Sequence, residues 1–123
     1  MSSRRWVFDP GRGGIKIEEA VKNRTEKRIL HYAETHLGGR YTRLDIRFRR
    51  QFCYVDAYTE TEPHRLRNTP VHLFRLRFFG DEEEWGLAFY SYAHEKYELS
   101  VFPTGEFRGP PELALQTAAE FHL

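Results

Sequence analysis

The stretch from Tyr41 to Tyr58, YTRLDIRFRRQFCYVDAY, alternates apolar and polar residues more cleanly than any other part of the chain. Leu44, Ile46 and Phe48 fall on one side of an extended backbone, and Arg43, Asp45, Arg47 and Arg49 on the other. Further on, Cys53, Val55 and Ala57 are the apolar set, and Tyr54, Asp56 and Tyr58 the polar-aromatic set. A period of two sustained this long predicts two half-buried strands forming a β-hairpin. A two-residue loop of Arg50–Gln51 pairs Arg49 with Phe52; a four-residue loop closes on Phe48 and Cys53. Both give one register, with Ile46 opposite Val55, Leu44 opposite Ala57, Arg47 opposite Tyr54, Asp45 opposite Asp56 and Arg43 opposite Tyr58. The turn holds no Gly or Asn, which argues against a tight primed turn and for the four-residue loop. A one-residue slip would bury the arginines, so the register is strongly specified.

The same pattern recurs downstream. Val71–Phe79 and Trp85–Tyr92 read as a second hairpin around Gly80-Asp81-Glu82-Glu83. Pairing Phe79 with Glu84 places Phe74, Leu76 and Phe78 on one face with Trp85, Leu87 and Phe89. His72 then falls on the core side as a structural histidine. Tyr97–Phe102 reads as a fifth strand after a turn at Ala93–Lys96. A four-residue loop puts Ser100 and Phe102 on the core face, and a bulge would put Leu99 and Val101 there.

Two helices flank this run of strands. In residues 17–37, Ile17, Val21, Thr25, Ile29, Ala33 and Leu37 recur every fourth position, Glu18 and Glu19 suit the first turn, and Gly38–Gly39 suits the end. The charged outer face, with Lys22, Arg24, Glu26, Lys27 and Glu34, reads as solvated. Pro111–Phe121 reads as a short helix that starts on Pro111 and carries a stripe of Leu113, Ala114, Thr117, Ala118 and Phe121. Consecutive strands joined by short turns imply an antiparallel sheet. The expected fold is α+β: one two-layer domain over residues 1–123, with a twisted sheet of about five strands (two consecutive hairpins plus an extra strand) and a long N-terminal and a short C-terminal helix on its apolar face. Residues 1–14 read as an extended segment with a Trp6-Val7-Phe8 plug, and residues 60–70 as a long loop carrying His64, Arg65 and Arg67.

Composition narrows the class of protein. Ten Phe, seven Tyr and two Trp in 123 residues support a packed core and argue against disorder. No run approaches the roughly 18 apolar residues of a membrane span, and MSSRRWVFDP lacks the apolar stretch of a signal peptide, so a cytoplasmic, non-membrane protein is expected. One cysteine rules out an intrachain disulfide framework. Cys53 lies on the apolar side of the hairpin and reads as a small buried hydrophobe. The net charge of +1 conceals a bipolar distribution: residues 1–50 hold 13 Lys+Arg against 6 Asp+Glu, and residues 51–123 hold 6 against 12.

Familiar catalytic patterns are missing. There is no phosphate loop with Gly-Lys-Ser/Thr, no dinucleotide glycine pattern, no paired-cysteine site, no nucleophile elbow and no paired-histidine zinc motif around His94. Arg12-Gly13-Gly14 is a single copy of a triplet found in RNA-binding tails and reads as a flexible turn. The acidic turn Asp81–Glu84 lacks calcium-loop spacing and reads as solubilising. No cofactor is implied.

What remains is the polar face of the sheet. Its candidate ligand-binding residues are Arg43, Arg47, Tyr54, Asp56, Tyr58, Arg75, Arg77 and Tyr90, with Asp45 and Tyr92 beside them. Guanidinium groups grip anions bidentately and tyrosine rings stack on bases. The first expectation is therefore a non-enzymatic module that binds an anionic ligand or single-stranded nucleic acid. The same residues also stabilise an exposed sheet through Arg–Tyr and Arg–Asp pairs. A second expectation is a protein–protein interaction domain, homodimeric or docking on a partner, driven by the bipolar charge and unpaired edge strands. The third arises from Asp45 opposite Asp56. Two like charges across a strand pair need relief, by neighbouring arginines or by a divalent cation, and the latter would make a metal-dependent hydrolase.

Overall fold

The computed structural model describes residues 13–60 and 69–123. The Trp6–Phe8 plug and the side chains of His64, Arg65 and Arg67 lie outside those residues. In chain order the elements are α1 (Glu19–His36), β1 (Arg43–Arg49), β2 (Phe52–Tyr58), β3 (Val71–Arg77), β4 (Trp85–Ser91), β5 (Lys96–Ser100), β6 (Arg108–Gly109) and α2 (Pro111–His122). The five longer strands form an antiparallel meander, β1-β2-β3-β4-β5, and β6 adds to β4 beyond the end of β5. Both helices pack on one face of this sheet, so the architecture is a two-layer α+β fold.

The first hairpin has the register its alternation demands, from Arg43 opposite Tyr58 to Arg49 opposite Phe52. Its loop is the two-residue Arg50–Gln51, not the four-residue connection expected from the missing glycine. Arg50 takes the left-handed backbone, with φ of 56°, at a cost of about 1–2 kcal/mol for a residue with a Cβ. Neighbouring segments hold the turn in place. The Arg50 carbonyl accepts from the Ile17 N–H at 3.0 Å, and the Gln51 carbonyl accepts from the Phe78 N–H at 2.9 Å. A turn docked on two other segments can carry strain that an isolated hairpin could not.

The second hairpin also has its expected register, with Phe74 opposite Phe89 and Leu76 opposite Leu87. Between β2 and β3 the pairing shifts: Val55 faces Phe74, whereas Asp56 faces His72. The shift is a β-bulge, and both Leu73 and Phe74 turn inward and are buried. Every residue before the bulge changes side. His72 therefore lies on the polar face and not on the core side, which corrects the reading from strict alternation.

The β4–β5 connection is Tyr92–Glu95, one residue earlier than expected, with Ser91 opposite Lys96 and Leu87 opposite Ser100. Ser100 and Phe102 face the core, and Leu99 and Val101 are exposed. After β5 the chain turns back, and Gly109 pairs with Trp85. A Cβ at Gly109 would sit 2.9 Å from the Phe102 ring, so only glycine lets this segment close over that ring.

The α1 stripe is as the fourfold spacing requires, with Ile17, Thr25, Ile29, Ala33 and Leu37 buried. The α2 stripe is rotated from the expected one. Ala114, Leu115, Ala118 and Ala119 are buried, whereas Phe121 is 72% exposed. Small alanines let α2 approach both the sheet and α1 closely, and Phe121 ends outside, edge-on to Phe89 at 5.9 Å.

Arg28 of α1 fastens these layers together. Its Nε and Nη2 donate to Glu112 of α2 at 2.7 Å each, and its Nη1 and Nη2 donate to Glu83 at 2.7 and 2.9 Å. Arg24 forks onto Glu82 at 3.0 and 2.7 Å. The acidic turn is thus the anchor of α1 rather than a free solubilising loop. Among the described residues, no helix is long and apolar enough to cross a membrane.

Candidate functional site

The helix-free face of the sheet collects the polar side chains of β1 to β5. At its β1–β2 side, Arg47 bridges the carboxylates whose opposition the sequence made conspicuous. Its Nη1 donates to Asp45 Oδ2 at 2.9 Å and to Asp56 Oδ2 at 2.8 Å. One guanidinium thereby relieves the repulsion and occupies the position a bridging cation would need. Burial lowers the Arg47 pKa, but the Asp56 and Asp45 carboxylates outweigh it and the group is held more firmly charged than usual. Among the described residues, no cluster of His, Cys, Asp and Glu has three members placed to hold a metal.

Asp56 is the unusual group. It is 1% exposed although it points to the open face. Its Oδ2 is paired with Arg47; its Oδ1 lies 3.1 Å from His72 Nδ1. That separation suits an ion pair, yet the ring N–H is not aligned on the oxygen, and both atoms are buried without a proper hydrogen bond. The two atoms face one another in the same dry spot, in contact but incompletely aligned. The bulge at Leu73–Phe74 produces this meeting by bringing His72 opposite Asp56.

Aromatic rings roof the centre of the face. Tyr54 of β2 meets Tyr97 of β5 at a centroid distance of 5.5 Å, although β3 and β4 run between them. Three strand spacings amount to roughly 14 Å in a flat sheet. The two side chains therefore lean toward each other over Arg75 and Ala88, and the face is closed in like a trough. Tyr90 sits against Tyr97 at 5.0 Å and against Tyr92 at 4.9 Å. His72 packs on Tyr90 at 4.8 Å, and its backbone N–H donates to the Tyr92 hydroxyl at 2.7 Å. Burial and the nearby Asp56 carboxylate push the Tyr97 hydroxyl well above its ordinary pKa, so it stays a neutral donor.

The remaining arginines differ in kind. The Arg75 guanidinium lies 4.6 Å from the Phe52 ring centroid and 5.5 Å from that of Tyr97. Among the described residues it has no carboxylate partner. Arg43 lies 4.1 Å over Tyr58 at the β1 edge, likewise without a carboxylate. Arg77 is 8% exposed, set 5.1 Å over Phe52 and tucked under the segment at Gly14. It shares the face but is covered by the chain itself.

The structure thus brings Arg47, Tyr54, Asp56, Arg75 and Tyr90 into one connected patch, sets Arg43 and Tyr58 at its edge and buries Arg77 beside it. Sequence reasoning missed His72, Tyr97 and Phe52. Tyr97 could have been found from the β4–β5 register, which places it opposite Tyr90. His72 could have been found from the adjacent apolar pair Leu73-Phe74, a mark of a bulge. Cys53 is buried on the other face, and burial pushes its thiol pKa up, so it is no nucleophile. Comparison with protein-family models, curated proteins and solved structures finds no match for this chain.

Proposed function

We propose that the trough between β1 and β5 binds a phosphate-bearing ligand, and that single-stranded nucleic acid is the ligand that suits it best. The observation that carries this reading is Arg75. It stands on the central strand, held between two rings, with its charge answered by no carboxylate among the described residues. Three other arginines are answered by carboxylates: Arg24 has Glu82, Arg28 has Glu83 and Glu112, and Arg47 has Asp45 and Asp56. A preorganised guanidinium without an anion is suited to take one from a ligand. The partly exposed rings of Phe52, Tyr54, Tyr90 and Tyr97 are suited to stack on bases around it. The test is fluorescence anisotropy with labelled single-stranded RNA and DNA at low and at physiological salt. Binding that weakens steeply with salt and is lost in Arg75→Ala supports the reading. No binding of either strand at low salt ends it.

A second reading rests on β5. Among the described residues it is an edge strand that pairs only with β4, and Leu99 and Val101 beside it are exposed. Such an edge invites strand pairing with a second copy of the chain. Light scattering over a concentration series tests it: a mass that doubles with concentration, and stays monomeric in Leu99→Lys, supports a homodimer. A monomer at every concentration removes it.

A further inference from the structure

The proposed ligand site leaves one group unexplained, the buried contact between Asp56 Oδ1 and His72 Nδ1. A buried polar atom without an aligned partner is costly and calls for a reason. The surroundings supply one. Asp56 is fixed from its other oxygen by Arg47, so its carboxylate cannot turn away. The His72 ring is fixed by its packing on Tyr90 and Tyr92. The Nδ1 atom is buried, while the side chain as a whole is 36% exposed. The accessible part of the ring is therefore the side away from Asp56, which carries Nε2.

A carboxylate at Nδ1 and an accessible Nε2 are the parts of an oriented imidazole base. A carboxylate so placed would keep the proton on Nδ1 and leave the Nε2 lone pair outward. Catalytic hydrogen bonds are often poorly aligned before substrate binds, so the skewed contact fits that role. A metal site fits less well. Among the described residues the spot offers one oxygen and one nitrogen, fewer than the three protein ligands usual for a catalytic cation, and the Arg47 charge already sits on Asp56.

We propose that Asp56 and His72 form a general-base pair that acts on the 2′-hydroxyl of single-stranded RNA held in the trough by Arg75. This rests on the nucleic-acid reading above. His72 and Arg75 lie on the same face of β3 on either side of the bulge, linked by the ring contacts His72–Tyr90, Tyr90–Tyr97 and Tyr97–Arg75. In the step proposed, His72 Nε2 takes the proton of a ribose 2′-hydroxyl. The 2′-oxygen attacks the adjacent phosphorus, and a new P–O bond forms. The bond from phosphorus to the 5′-oxygen of the next nucleotide breaks, and that oxygen is protonated from the imidazolium through water. The products are a 2′,3′-cyclic phosphate and a free 5′-hydroxyl, and nothing is oxidised or reduced. Arg75 stabilises the extra negative charge that builds on the phosphoryl oxygens. Asp56 acts as a positioning residue, since it works through His72.

The test incubates the full chain, in EDTA, with end-labelled single-stranded RNA and with DNA of the same sequence. RNA cut to cyclic-phosphate ends, with DNA bound but intact, is the expected result. His72→Gln should lower the cleavage rate about a hundredfold or more, keep RNA binding within about twofold and abolish the rising limb of the pH–rate profile. Asp56→Asn should lower the rate and shift that limb. Should Asp56→Asn fail to fold, His72→Gln decides alone, because it removes no partner of Arg47. RNA that is bound but never cut overturns the general-base pair and leaves the binding reading standing. No RNA binding overturns both. Cleavage lost in EDTA and restored by a divalent cation, or cleavage undiminished in His72→Gln, also overturns the pair.

Discussion

Two arginine–carboxylate centres sit on opposite sides of the same sheet, and they are built to different standards. On the helix side, Arg28 makes five hydrogen bonds, to both oxygens of Glu83, both oxygens of Glu112 and the Glu82 carbonyl. Its carboxylate partners are half-exposed or exposed, so little desolvation has to be offset. On the open side, Arg47 spends a single Nη1 on two carboxylates, one of them almost wholly buried. The far oxygen of that buried carboxylate then meets a histidine it does not properly bond. A clamp that only fastens layers ends with its bonds filled. The open-face centre retains bonding capacity where a ligand can reach the ring beside it.

The difference should appear first in stability. Arg47→Ala leaves Asp56 as a buried charge without its cation, a change that typically costs about 3–5 kcal/mol. Arg28→Ala leaves Glu83 in water and Glu112 partly so, and about 1–2 kcal/mol is expected after allowing for solvent screening. Urea unfolding of the two variants gives the ranking directly. An Arg28→Ala variant weaker than Arg47→Ala would mean that the helix-side clamp is the more critical centre and would break the comparison.

Acid sharpens it. The Arg24 fork holds the Glu82 carboxyl below its ordinary value. Burial works to raise Glu112, but the Arg28 fork outweighs it and Glu112 is also lowered. A carboxyl lowered in the folded state stabilises fully above its unfolded value of about 4.5 and loses that contribution as the pH falls through the folded value. His122, lowered by burial, acts in the same direction from about pH 6.5 downward. Melting temperature should therefore decline in two stages on acidification. His122→Gln should remove the upper stage, and Arg28→Ala should blunt the lower one. A lower stage unchanged in Arg28→Ala would detach it from the clamp.

These centres also mark how far the sequence could be read. Both hairpin registers follow from alternation alone, because a slip by one residue would exchange core for solvent along a whole strand. The α1 stripe follows from its fourfold spacing. The tight Arg50–Gln51 turn did not follow, since the contacts that hold its left-handed residue come from Ile17 and Phe78. Nor did the Arg28 clamp, whose partners are 54 to 84 positions away in sequence. The Asp56–His72 contact needed the bulge, and one extra inward residue reversed the side assigned to His72. Local pattern fixes faces within an element. Docked turns, long-range ion pairs and bulges depend on how elements meet.

The smallest expected change in stability is the most telling. Arg75→Ala removes ring contacts worth about 0.5–1 kcal/mol at a partly exposed site and strands no carboxylate among the described residues. Its unfolding midpoint should stay near that of the parent. If Arg75 serves a ligand, the same variant should lose affinity for single-stranded RNA and lower the slope of log affinity against log salt by about 0.7 for one phosphate contact. Arg24→Ala, which removes an equal charge on the helix side, should leave that slope unchanged. A charge needed for binding but hardly needed for folding is what separates the open-face arginine from the clamp. An Arg75→Ala variant that binds like the parent and melts far below it would instead make Arg75 a fastener of the sheet.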